Sequence, residues 1–204
     1  MELNKQFQEY GLIDVCSLDP TIKVDLRYAT CNNFTHKQLY PKNISAYCEP
    51  SLAKAIAAAS QCLHKLYSNL YIVIYDAARP LSVQRHMFDL VKGTESQRYI
   101  ADPYGPFSGG FHNYGMAVDM ALCNADGEML DFGTGFDSFS TIAHVGNEQQ
   151  MVRDGIITPQ AYANRMLLYH ITALQGMLPY AYEWWHYQIH QNEEDKQRFM
   201  LLDF

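Results

Sequence analysis

The sequence predicts an α+β fold, with a mostly antiparallel central sheet and flanking helices, and three observations carry that prediction. Three segments show the apolar periodicity of helices and two read as strands. Their order lacks the regular strand–helix–strand alternation of a parallel sheet. Eight of the twelve glycines fall between positions 93 and 135, so that stretch is expected to be loop and short strand, where the backbone turns sharply or another group comes close.

Residues 51–68 place Leu52, Ala55, Ile56, Ala59, Leu63 and Leu66 on one helical stripe, with Ser51 after Pro50 as a reasonable N-cap. The run Tyr71–Ala77, YIVIYDA, is short, β-branched and aromatic, and reads as a buried strand. Pro80 lets a second helix begin near Leu81 and stop at Gly93. Thr158-Pro159 opens a third, which runs through NRMLLYHITALQ to Gly176. The C-terminal AYEWWHYQIH is aromatic and reads as a strand.

A length of 204 residues predicts one domain, residues 1–204, able to bury roughly 70% of its unfolded surface without a disulfide or metal. Hydrophobic residues make up 48% and charged residues 18%, a globular composition. A net charge of −7 with no Lys/Arg cluster argues against a nucleic-acid or anionic-membrane partner. No apolar run approaches the roughly 18 residues of a membrane span. The start, MELNKQFQEY, lacks a signal-type apolar core. Five cysteines without a Cys-x-x-Cys fit reduced thiols, so the cytoplasm is the expected compartment.

The chemistry concentrates in two segments. FHNYGMAVDM sets His112 and Asp119 seven residues apart, with Gly115 between them to permit a tight turn. EWWH pairs Glu183 with His186 further on. Two ligands from one segment and one from a distant segment would leave a fourth position open, as catalytic zinc requires, with Glu183 a carboxylate beside the metal. His-x6-Asp is weak by itself, because a single histidine is more often a surface or satisfied core residue. On a regular strand, positions three apart face opposite sides, so Glu183 and His186 need a twist, bulge or strand end to address one metal.

Arg79, in Asp76-Ala77-Ala78-Arg79-Pro80, follows the buried strand and could bind a carboxylate or a developing oxyanion. On local evidence a surface ion pair with Asp76 or another acid is the simpler account. Asp25-Leu26-Arg27-Tyr28 reads as an ordinary strand end. Ser51-Leu52-Ala53-Lys54 matches Ser-x-x-Lys, but no Ser-Asp-Asn or Lys-Thr-Gly follows. His36, His64, His86, His144 and His170 have no convincing partner in the sequence.

Taken together, the segments resemble the D-alanyl-D-alanine dipeptidases of the vancomycin-resistance type, zinc peptidases that share a fold with Hedgehog domains and D-Ala-D-Ala carboxypeptidases. The resemblance covers nearly the whole chain in the family order: DLRYAT at 25–30, DAARP at 76–80, FHNYGMAVD at 111–119, GTGFD at 133–137, NRMLL at 164–168 and EWWHY at 183–187. It implies a Hedgehog/DD-peptidase-like fold and one zinc per chain held by His112, Asp119 and His186. It further implies Glu183 as catalytic base and Arg79 as stabiliser of the transition state. Asp137 and Tyr28 fall where the family holds the amino end of a small D,D-dipeptide substrate. Two positions depart from the pattern. Gly110 replaces a serine that helps hold the substrate, so that contact falls to Ser108 or Tyr114 or is lost. Ala78 replaces an aromatic residue. The expected reaction is hydrolysis of D-Ala-D-Ala. The alternatives are a D,D-carboxypeptidase or other peptidoglycan peptidase, and a non-catalytic zinc-stabilised binding domain.

Overall fold

The computed structural model describes residues 2–204. The chain opens with α1 (Glu2–Glu9), β1 (Ile13–Asp14), α2 (Val15–Leu18), β2 (Lys23–Val24) and β3 (Tyr47–Cys48). Then follow α3 (Pro50–Leu66), β4 (Leu70–Asp76), α4 (Leu81–Val91) and β5 (Ala117–Asn124). It closes with α5 (Glu148–Arg153), α6 (Pro159–Ala173), β6 (Leu178–Tyr180) and β7 (Glu183–Gln188). Among the described residues, no helix is long and apolar enough to cross a membrane.

The five-stranded sheet has the order β2-β4-β5-β7-β6. Only β2 and β4 run parallel; the other neighbours are antiparallel, so the fold is α+β as expected. β1 and β3 form a separate antiparallel pair.

Both faces of β4 and β5 are buried, which explains their apolar sequences, YIVIY in β4 and AVDMALC in β5, where Asp119 alone breaks the run. Val118 and Tyr187 are paired across strands and share one face, where Tyr169 of α6 packs against Tyr187 with ring centroids 6.3 Å apart. Side chains alternate along a strand, so Asp119 and its partner His186 point to the opposite face. Helix α6 thus covers one face of the sheet, and the site lies on the other.

The three predicted helices form with trimmed ends, and one cap differs. Glu49, not Ser51, caps α3: its carboxylate accepts from the backbone N–H groups of Ser51 and Leu52, and Pro50 takes the first helical position. A carboxylate one residue before Pro50 reaches two free donors, where the Ser51 hydroxyl already lies inside the helix.

Buried Arg165 of α6 organises the irregular segment that follows β5. Its Nε and Nη2 each donate at 2.8 Å, to the carbonyls of Phe132 and Ile142. Phe132 stacks on Trp184 at 4.1 Å, and the Trp184 indole N–H donates to Thr134 Oγ1 at 2.8 Å. The segments NRMLL, GTGFD and EWWHY therefore interlock, and between their anchors the chain carries Asp137.

Candidate active site

Asp76, Asp119 and His186 occupy one rung across β4, β5 and β7. The rung forms because β4 bulges between Ile74 and Asp76, bringing Asp76 opposite Asp119. β7 is irregular as well. Tyr180 of β6 faces Glu183, but the next residue, Pro179, faces Tyr187. The intervening residues of β7 bulge out of register, and this brings Glu183, the first residue of the strand, to the same side as His186. Glu183 Oε2 stands 3.7 Å from His186 Nδ1.

His112 arrives from a 3-10 turn, Phe111–Tyr114, that ends on Gly115 at φ 68°. The turn is preceded by Gly109 at φ 86°, where a β-carbon would meet Asn113 Oδ1 at 2.2 Å, so only glycine fits. Two hydrogen bonds, one between backbones and one from a side chain, join this turn to the segment that follows β4. The Arg79 N–H donates to the His112 carbonyl at 2.9 Å, and Asn113 Nδ2 donates to the Arg79 carbonyl at 2.9 Å.

His112 Nε2, His186 Nδ1 and Asp119 Oδ1 form a buried triangle with edges of 3.1, 3.2 and 3.3 Å. The other ring nitrogens fix the tautomers. His112 Nδ1 lies 2.7 Å from the Ala77 carbonyl, which only accepts, so that nitrogen carries the proton. His186 Nε2 lies 2.9 Å from Gln188 Oε1, and Gln188 is held in this orientation by its own Nε2, which donates to the His190 carbonyl at 2.7 Å. In these tautomers the two rings aim lone pairs at each other and at Asp119 Oδ1, a buried oxygen without a hydrogen-bond partner. Three converging acceptors repel unless a cation sits among them. These residues could hold a metal ion.

Arg79 does pair with Asp76, but the pair is buried, unlike the surface bridge that local sequence suggests. Its Nε donates to Asp76 Oδ2 at 2.9 Å and its Nη1 to Gln84 Oε1 at 2.8 Å. Asp76 Oδ1 accepts from Tyr40 at 2.9 Å. Burial opposes the charge on Arg79, yet Asp76 beside it raises its pKa further and keeps it cationic. Burial likewise raises the Glu183 carboxyl, to about 7, with the neighbouring acids Asp119 and Asp137 adding to the rise.

Asp137 lines the same cavity, of about 300 Å³, as Arg79, Glu183 and the triangle. Its backbone is left-handed at φ 60°, an uncommon conformation outside glycine. Its two oxygens accept from the Tyr28 hydroxyl at 2.9 Å and the Phe34 N–H at 3.1 Å. Burial pushes its carboxyl up to about 7 despite those bonds. Ser108 and Tyr114 do not line the cavity; the Tyr114 hydroxyl is spent on the Phe107 carbonyl at 3.1 Å.

The structure thus gathers all seven residues singled out in the sequence around one cavity. Sequence reasoning missed three supports, Gln188 behind His186, Gln84 behind Arg79 and Arg165 behind the Asp137 segment, and it named Asp76 as a partner of Arg79 but placed that pair at the surface. Gln188 had a readable signal, since it lies two residues from His186 and so shares its face if the strand is regular at that point.

Comparison with known proteins agrees with this geometry. A family profile described as D-ala-D-ala dipeptidase matches residues 8–202. A D-alanyl-D-alanine dipeptidase of Escherichia coli (strain K12) is 30% identical over 183 residues, which cover 88% of this chain and 85% of the relative. A D-alanyl-D-alanine dipeptidase of Enterococcus faecalis (strain ATCC 700802 / V583) is 24% identical over 200 residues, 89% of this chain and 92% of the relative. The match runs nearly end to end, through every segment that builds the cavity: the chain belongs to the D-Ala-D-Ala dipeptidase family, and it is a peptidase.

Proposed function

We propose that this enzyme hydrolyses free D-Ala-D-Ala to two D-alanines with a zinc ion held by His112, Asp119 and His186. The observation that carries the reading is the triangle of three unprotonated ligand atoms beside Glu183. Its edges of 3.1–3.3 Å suit a tetrahedral ion whose bonds of about 2.0–2.1 Å put neighbouring donors roughly 3.3 Å apart. A bound zinc ion supplies Lewis acidity there, polarising the scissile carbonyl and lowering the pKa of water towards about 7.

Glu183 takes the proton of the attacking water and returns one to the departing amine. A carboxyl raised to about 7 is well matched to both transfers near neutral pH. Arg79, locked by Asp76 and Gln84, keeps N–H groups for the negative charge that develops on the carbonyl oxygen. Asp137 receives the substrate's ammonium group, with Tyr28 holding one of its oxygens. An N-acylated peptide lacks that ammonium and would leave a buried carboxylate unpaired, which selects for the free dipeptide. A cavity of about 300 Å³ lies at the small end of ligand sites.

The test is release of D-alanine from D-Ala-D-Ala by the purified protein, stripped of metal and then reloaded with zinc. Zinc-dependent release is the expected result. Absence of release from the zinc-loaded protein, with cleavage of longer D,D-peptides instead, overturns the dipeptide assignment and points to a carboxypeptidase.

A further inference from the structure

A free dipeptide is a zwitterion, so a site that grips both ends needs an acid for the ammonium and a cation for the carboxylate. Among the described residues the arginines and lysines that line the cavity are two, Arg79 and Arg98. Arg79 is held by Asp76 and Gln84, and its remaining N–H groups are assigned above to the carbonyl oxygen. The remaining candidate, Lys196, is buried beneath the cavity wall, donating to the Gly109 carbonyl at 2.7 Å and pairing with Glu193.

Arg98 is exposed at the cavity edge, and no ion pair engages it among the described residues. It is nevertheless held in place. Its Nη2 donates to the Tyr99 hydroxyl at 3.1 Å, and its guanidinium carbon lies 4.9 Å from the Tyr99 ring centroid. Tyr99 stacks on Phe139 at 4.9 Å with planes 8° apart. Phe139 packs on Phe34 at 5.1 Å, and the Phe34 N–H holds Asp137. One aromatic chain therefore ties the free cation to the acid. Gly110 makes room for this segment: a β-carbon there would meet Ala101 Cβ at 3.2 Å, closer than ordinary contact.

We propose that Arg98 binds the carboxylate of the substrate and, with Asp137 at the other end, measures the length of a zwitterionic dipeptide. The assignment rests on the dipeptidase reading above and adds a specificity residue to it. A charge-assisted hydrogen bond to carboxylate carries the selectivity, and replacing the acid by a neutral amide leaves only a weaker contact.

The experiment compares D-Ala-D-Ala with its C-terminal amide on the zinc-loaded enzyme, its Arg98→Gln variant and its Arg98→Lys variant. The wild type is expected to favour the acid by about 10- to 100-fold in kcat/KM, the span of one charged hydrogen bond. In Arg98→Gln the KM for the acid rises by that factor, kcat changes little, and the acid-to-amide ratio falls towards one. Arg98→Lys restores part of the preference. A wild type that treats acid and amide alike, or an Arg98→Gln variant that keeps the wild-type ratio, overturns the Arg98 assignment and leaves the dipeptidase reading standing. A zinc-loaded wild type that cleaves neither compound overturns both.

Discussion

Asp119 of β5 and His186 of β7 are direct cross-strand partners, and their facing atoms, Oδ1 and Nδ1, stand 3.2 Å apart. Gln188 fixes the proton of His186 on the far nitrogen, so this short contact joins two acceptors. The pairing register that builds the sheet also brings together two of the three side chains that could hold a cation.

Zinc should therefore stabilise the fold. Adding zinc to chelated wild type is expected to raise Tm with concentration, as for any ligand bound only by the native state. Asp119→Asn should lose the response. Differential scanning calorimetry with and without zinc checks both.

Gln188 should govern how tightly the metal is held. Gln188→Leu removes the partner that orients His186, and loss of such a support typically weakens metal affinity about 10- to 100-fold. Competition with a chelator of known affinity measures it. KM for the dipeptide should hardly move.

Replacing the proton acceptor should separate chemistry from binding. Glu183→Gln is expected to lower kcat by about 10²–10⁴-fold, the usual contribution of a general base, while zinc content measured by emission spectroscopy stays at the wild-type level. Normal turnover in this variant would exclude the role.

Arg79 pairs with Asp76 and, on the proposed mechanism, also serves the oxyanion, two jobs that a double variant can divide. Arg79→Ala leaves Asp76 buried and unpaired, a defect that costs about 3–5 kcal/mol of stability. Asp76→Asn/Arg79→Ala should recover much of that in urea unfolding. Turnover should stay about 100- to 1,000-fold low in both, because the oxyanion donor is missing from each. Recovery of turnover along with stability would show that Arg79 acts only through the fold.

Asp137 should impose a pH dependence on binding. Its carboxyl, raised to about 7 by burial, is ionised above that pH and protonated below it. KM for the dipeptide is expected to rise as pH falls from about 8 to about 6, by up to roughly tenfold per unit below the pKa. Asp137→Asn should flatten the profile. The same shift acts on stability with the opposite sense. Between about pH 4 and 7 the unfolded carboxyl ionises while the folded one resists, so the metal-free fold loses stability as pH rises through that window.

Much of this site was legible before any coordinates. His112, Asp119, Glu183 and His186 announce themselves as residue types suited to one chemistry, in segments whose spacing permits them to meet. The long helices and the apolar strand β4 follow from periodicity. The bulge in β7 does not, because register depends on the neighbouring strand, and so the Glu183–His186 geometry stayed open. β5 was hidden inside a glycine-rich stretch, its apolar run interrupted by Asp119 itself. The buried state of the Asp76–Arg79 pair was invisible because it depends on Tyr40 and Gln84, and Tyr40 lies far away in sequence. Arg98 carries no local signal at all: an arginine in a polar turn looks like surface until the Tyr99–Phe139 stack sets it at the cavity edge.

Of the proposed reacting groups, Asp119, Glu183 and His186 sit on hydrogen-bonded strands of the sheet, whereas the proposed grips on the dipeptide, Asp137 and Arg98, sit on irregular segments fastened by Arg165, Trp184 and an aromatic stack. On the proposed mechanism, drift in the first set should abolish hydrolysis, and drift in the second should change which peptide is held. For laboratory evolution this is a practical division. A library confined to residues 98–101 and 133–139 varies the length and charge of the accepted peptide while every hydrolytic side chain stays constant, so inactive clones report failed folding or failed docking rather than lost chemistry.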